Sequence, residues 1–219
     1  MGGGIWEMNL WNLILSGGPL MWPILLCSLF ALTIVIERIL FFQSITIDSI
    51  KLKRQIMELV KNNKIKEAVA LCEGMSSPVA KIFKAGLVKF GSGREEIKDN
   101  IEDASLFEIP KLEARLSTLA TIGHISPLLG LLGTVTGMVS CFHTIQLRAA
   151  SLNPVSPGDL SGGIWEALIT TVAGLMVAIP TFVAYNYLVG RVNDFVSEME
   201  RAATGIVNFL SQMADGKYQ

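Results

Sequence analysis

Glu166 stands at the head of a long run without Asp, Glu, Lys or Arg, and two hydroxyls, Thr170 and Thr171, follow within its first turns. A carboxylate bordering a row of hydroxyls is a chemistry for moving protons, because ionisable groups at membrane depth are costly and mark ion pathways. A plainer reading stays open, since an acidic residue at a helix N-terminus is favoured by the helix dipole. Two further runs have the same lack of charge, so the three are Met8–Ile36, Leu116–Leu147 and Ala167–Gly190. In the second, at 100° per residue, Ser126, Gly130, Gly133, Gly137, Ser140 and Thr144 form one narrow stripe, with Gly123, Thr134 and Cys141 on its flank. Small residues let backbones approach in lipid and hydroxyls can bond across helices. The same hydroxyls can also be satisfied on carbonyls of their own helix.

In the third run Ala167, Thr170, Thr171, Gly174, Ala178, Thr181 and Tyr185 share one face, and Trp165, Leu168, Val172, Leu175, Met176, Ile179 and Val183 the other. The first face is expected to pack or to line a path, and the second to meet lipid. Glu37 and Arg38 close the first run, where interfacial pairing and snorkelling account for both. His124 and His143 lie near opposite ends of the second run and read as interfacial, while Cys27, Cys72 and Cys141 have no metal spacing and read as small apolar filler. No phosphate loop, HExxH or GxSxG is present, so no metal, cofactor or enzymatic activity is expected. No acid falls in mid-membrane either. If the chain conducts protons, a second polypeptide must supply the carboxylate.

The elements that hold these residues follow from hydropathy and charge. The 219 residues are 51% hydrophobic and 17% charged, with a net charge of −1, where a soluble domain of this length carries about 25% charge. Each charge-free run meets the roughly 20 residues needed for a spanning helix. The near-neutral balance gives no reason to expect nucleic acid. The basic residues crowd between the first two runs, from Lys51 to Arg115, while the segment before Met8 has none and the loop after Leu147 has only Arg148. The positive-inside rule then puts the N-terminus outside, the middle region in the cytoplasm, the second loop outside and the C-terminus in the cytoplasm.

The expected order is an interfacial helix and turn over 1–19, a first span over 20–42, a cytoplasmic helical region over 43–115, a second span over 116–147, an outer loop over 148–162, a third span over 163–190 and a cytoplasmic helix and tail over 191–219. Gly17-Gly18-Pro19 should break the chain before the first span, and Trp6, Trp11 and Trp22 suit an interface. A cleaved signal peptide is not expected, since the N-terminus lacks a basic region and the first run shows no small-residue cleavage pattern. Cytoplasmic helices are expected over 49–61, over 64–73 and from Ser77-Pro78 to about Phe90, with a break at Gly91-Ser92-Gly93 that Ser92 could cap. From Arg94 the helical spacing of Ile97, Ile101, Ala104, Leu112, Leu116 and Leu119 runs into the second span, predicting one helix from 94 to 145 kinked at Pro110. A stripe from Val192 to Leu210 extends the third span likewise, so the two are expected to pack antiparallel along their whole length.

Several stretches resemble the ExbB/TolQ/MotA proton-channel family, nearest its ExbB and TolQ branch: "SGGPLMWPILL" leading to "IERILFF", then "PLLGLLGTVTGM", then "EALITTVAGLMVAIP" before Tyr185-Asn186. The resemblance spans nearly the whole chain, with the motifs in order. Thr136 departs from it, standing where many ExbB and TolQ members have Trp, and a MotA-like chain would have four spans and a larger cytoplasmic domain. The resemblance implies an all-α membrane protein of the inner membrane of Gram-negative bacteria, built as a pentameric helical barrel with two of its three spans reaching far into the cytoplasm. It implies a homopentamer around an ExbD- or TolR-like single-span protein whose aspartate carries the proton, working on a TonB- or TolA-like protein, in contact with membrane lipid.

Carried over by motif, Thr134, Thr171 and Glu166 match the family's pore and proton-pathway residues. Gly130, Gly133, Gly137, Gly174, Ser126, Ser140, Thr170, Ala178 and Thr181 are then the packing around the pore, the glycines of the second span letting five copies crowd together. An ExbB-like subunit that energises TonB-type import is the expected function. A TolQ-like subunit of an envelope-maintenance system and a non-conducting scaffold are its rivals.

Overall fold

The computed structural model describes residues 14, 16–45, 49–151 and 154–214, and those residues are helical with short connections and no strand. In chain order the helices are α1 (Met21–Ile45), α2 (Ser49–Lys61), α3 (Ile65–Glu73), α4 (Pro78–Val88), α5 (Arg94–Glu113), α6 (Leu116–Ala150) and α7 (Pro157–Ala214). Three of the helical segments are long and apolar enough to cross a membrane. The interfacial helix expected before Gly17 lies outside the described residues except for Ile14 and Ser16. Gly17 to Leu20 form the expected turn, with Gly18 at φ +66°, and Pro23 sits in the first turn of α1, where its missing N–H costs little.

Two compact units divide the chain, Met1–Ile36 with Arg115–Asn186 and Glu37–Ala114 with Tyr187–Gln219. In the first, α6 and the first part of α7 run antiparallel at a separation that only glycine permits. A Cβ on Gly137 would lie 2.5 Å from the Gly163 carbonyl oxygen, and one on Gly174 would lie 2.6 Å from that of Ser126. Gly133 faces Thr170, Gly130 faces the backbone of Thr170 and Thr171, and Gly123 lies against the Phe182 ring. The outward faces are apolar. Leu128, Leu131, Val139 and Phe142 of α6 are exposed, as are Leu168, Val172, Leu175, Met176, Ile179 and Val183 of α7, while Trp165 of the same expected face is half-buried.

The second unit is built as a soluble domain is, on amphipathic helices. Leu52, Ile56 and Val60 bury one stripe of α2, and Ile82, Phe83 and Leu87 do so for α4. Ile97, Ile101 and Leu112 of α5 and Leu188, Phe195, Ile206 and Leu210 of α7 are also buried. Phe42 stacks on Phe195 at 5.7 Å between ring centres. Here Arg94 of α5 donates to the Asn208 side chain of α7 at 2.7 Å. α5 and α7 here flank a groove of about 560 Å³ lined by residues such as Ile101, Leu106, Val196 and Met199.

Three boundaries differ from the sequence expectation. The helix expected from 94 to 145 is two helices: Pro110 is accommodated inside α5, and the chain breaks at Ala114 and Arg115, where Arg115 is left-handed at φ +65°. The break is capped from a distance, because the Arg38 guanidinium donates to the carbonyls of Lys111 (3.2 Å) and Leu112 (3.5 Å). These are among the last-turn carbonyls that have no partner within a helix. Secondly, α7 begins at Pro157 rather than near 163. Pro157 is preset for a first helical position, and Asp159 accepts from the backbone N–H of Ser156 at 3.0 Å, one limb of a capping box. Thirdly, Gly93 rather than Ser92 is the N-cap of α5, and no side chain caps it.

Candidate functional site

The hydroxyl and glycine faces of α6 and α7 meet inside one chain. Ser126 is fully buried and donates to Ile122 O at 2.7 Å. Thr170, 1% exposed, donates within its own helix to Glu166 O (3.0 Å) and Ala167 O (2.9 Å). Thr181 donates to Val177 O at 2.7 Å. Thr171 is different, because its hydroxyl reaches across to the Gly130 carbonyl at 3.1 Å, with Ala167 O of its own helix at 3.3 Å. The approach of Gly130 to the α7 backbone makes that crossing possible.

The stripe expected to let copies crowd together therefore has a partner already. Gly130, Gly133 and Gly137, with Ser126, are buried against α7 of the same chain, facing Thr170, Thr171, Ala167 and Gly174. Ala178 is buried too, while Ser140 is exposed and does not belong to this seam. The physical reason is local: the chain returns through a connection of six residues, 151–156, so the nearest small face is its own. Thr134 lies beside the seam, half-exposed, with its hydroxyl turned back to Leu131 O at 2.6 Å. Thr136 is exposed and bonds to Leu132 O and Gly133 O, each at 3.1 Å.

Glu166 is held elsewhere. A Cβ on Gly18 would fall on its carboxylate, so that carboxylate lies over the Gly17-Gly18 turn. The structure thus brings Thr171 to the α6 backbone and Glu166 to the turn that precedes α1. In the sequence these two glycines read only as a break, and nothing there showed that the second seats the acid.

Arg38 does not snorkel outward as expected. It is 5% exposed, lies 3.8 Å from Glu37, sits 4.8 Å from the Phe41 ring centre and caps α5. His124 bonds Ala120 O through Nδ1 at 2.7 Å and stands edge-on to Phe182 at 5.0 Å. Among the described residues no three His, Cys, Asp or Glu cluster to hold a metal.

A second polar centre, unforeseen in the sequence, lies in the other unit. Glu108, 6% exposed, receives hydrogen bonds from Lys81 (2.8 Å) and Lys111 (2.5 Å). Burial opposes its charge, yet the hydrogen bonds from Lys111 and Lys81 and their positive charge outweigh it and hold the carboxyl below the usual range. Burial pushes the Cys72 thiol up to about 11 against the opposing charge of Lys84, leaving it neutral.

Long apolar helices joined by a seam of glycines and hydroxyls, in a chain that also carries a charged helical unit, define a polytopic helical membrane protein. Residues 75–201 match the model of the MotA/TolQ/ExbB proton channel family, and the chain belongs to that family. It is 34% identical over 172 residues to the biopolymer transport protein ExbB-like 3 of Synechocystis sp., covering 78% of this chain and 81% of that one. It is similar to the ExbB biopolymer transport protein of Salmonella typhimurium at 30% over 180 residues, 75% of this chain and 70% of that one. It is also 36% identical over 143 residues to the Tol-Pal system protein TolQ of Pseudomonas aeruginosa, 57% of this chain and 60% of that one. The family is one of proton channels, not of enzymes.

Proposed function

We propose that this chain is the conducting and stator subunit of an inner-membrane motor that uses the proton-motive force to energise import across the outer membrane. Five copies surround a single-span partner that supplies the membrane aspartate, and a TonB-like protein receives the work. The observation that carries this reading is the pairing of hydroxyls with glycine backbone in runs that hold no acid at their middle. The half-exposed hydroxyls at the edge of that seam, Thr134 and Thr171, can pass protons with water but cannot hold one, so the titrating group comes from elsewhere. Thr171 is the main pathway hydroxyl, since it alone of the seam's threonines bonds across the helices. Thr134 flanks the path and Glu166 stands at its outer end. The distribution of Lys and Arg supports an outer N-terminus and a cytoplasmic C-terminus.

The similarity to TolQ favours a second reading, the same machine serving a Tol-Pal system with a TolA-like partner. Both predict partner-dependent proton flux. In proteoliposomes holding this protein and its single-span partner, Thr171→Ala should cut flux about tenfold, the scale of one hydrogen bond to the path. Adding Thr134→Ala should abolish the remainder while the complex stays assembled. Unchanged flux in the double variant would overturn the pathway. Absence of flux in the wild-type pair would favour a passive scaffold.

A further inference from the structure

The sequence switches between charged and apolar at the end of the first run, Ile36 to Glu37, and at the start of the second, Arg115 to Leu116. The residues on the charged side of both switches line one cavity of about 600 Å³, with Glu37, Arg38 and Phe41 on α1 and Glu108, Lys111 and Leu112 on α5. Lys81 of α4 also lines it. Two independent sequence boundaries thus place this cavity at the level where a bilayer changes from acyl chain to headgroup. Its lining is mixed in the way a lipid is. Phe41, Ile45 and Leu112 offer an apolar wall, and three cations from three helices offer the charge.

Three cations against two carboxylates leave one positive charge, the complement of one phosphodiester. Glu108 holds the two lysines at the cavity and takes one donor from each, while each ammonium carries three. Both lysines keep a wet side, being 41% and 58% exposed, whereas the Arg38 side chain is 6% exposed and fixed by the end of α5. Basic pockets beside spanning helices on the cytoplasmic side are a recurring way of holding acidic headgroups.

We propose that this cavity binds the phosphate of an anionic phospholipid of the cytoplasmic leaflet, with Lys81 and Lys111 as its ligands. The proposal rests on the chain crossing the membrane but not on its conducting protons, and alkaline extraction of membranes tests that premise separately. Native mass spectrometry of the full-length protein, released from nanodiscs of mixed phosphatidylglycerol and phosphatidylcholine, should show retained phosphatidylglycerol in preference to phosphatidylcholine. Lys111→Gln, which leaves Glu108 its Lys81 partner, should weaken that retention about fivefold, and Lys81→Gln similarly, the scale of one basic residue at an anionic surface. Lys111→Arg should keep it. Glu108→Gln should strengthen it, because the competing negative charge is gone, whereas a purely structural ion-pair network would give no gain. Equal retention of the two lipids, or lysine variants indistinguishable from wild type, would overturn the site. Thermal stabilisation by inorganic phosphate as large as by phosphatidylglycerol would overturn the lipid assignment.

Discussion

Gly137 and Gly162 show how differently two glycines in one fold can behave. A methyl on Gly137 would meet the Gly163 carbonyl oxygen at 2.5 Å and the Ala167 Cβ at 2.8 Å, while one on Gly162 would meet nothing within 4 Å. The first contact involves backbone, which cannot rotate away, so Gly137→Ala must drive α6 and α7 apart. A loss of about 1–3 kcal/mol is expected, the range for overpacking a tight contact. Gly162→Ala instead removes a flexible residue from the helical part of α7 and should gain about 0.5–1 kcal/mol. Unfolding of the two variants in mixed micelles checks both signs, and equal effects would contradict the close seam. The seam's composition was legible in the sequence, since Ser126, Gly130, Gly133 and Gly137 fall on one stripe. Its partner was not, because a small face fits another small face whichever chain supplies it.

Whether a helix boundary was legible depends on where its cause lies. Helices α2, α3 and α4 begin and end close to where their own residues say they should, at Asn62-Asn63, Ser77-Pro78 and Gly91. The start of α7 was also written locally, in Ser156-Pro157 and Asp159, but the loop-like composition of 148–162 masked it. The break between α5 and α6 had no local signal. Periodicity runs straight through it, Pro110 pointed to the wrong place, and Arg115 is not a residue that favours φ +65°. What supports it is Arg38, some seventy residues away, donating to the carbonyls of Lys111 and Leu112. Arg38→Met keeps the side chain's bulk and loses those bonds, so it should cost about 1–3 kcal/mol, the penalty for stranding buried acceptors. Hydrogen exchange should quicken in the last turn of α5 and stay unchanged in α2. No change at the end of α5 would mean that the break is held by other contacts.

At the scale of the whole chain, the two units are held by different forces, and acid should tell them apart. The seam of α6 and α7 is made of glycines, threonines and carbonyls that do not titrate. The other unit relies on charged pairs, Lys81 and Lys111 on Glu108, Lys89 on Glu96 and Lys84 on Glu73. Glu108 is opposed by burial but held low by Lys111 and Lys81, and Glu96 is held low chiefly by Lys89. A carboxyl whose pKa is lower folded than unfolded contributes stability above its unfolded value, about 4.3 for Glu. That contribution disappears as pH falls through the folded value. Hydrogen exchange in α4 and α5 should therefore quicken as pH falls from about 5 to below the ordinary Glu range, after correction for the intrinsic rate. The glycine seam should hold over the same interval, except at the first turn of α7. There Asp159 is kept low mainly by the Ser156 N–H, helped by its hydroxyl and by Arg148, so protonation removes the cap. Glu108→Gln should flatten the pH dependence of α4 and α5 without touching the seam, and an unaltered acid limb in that variant would show that Glu108 is not its source.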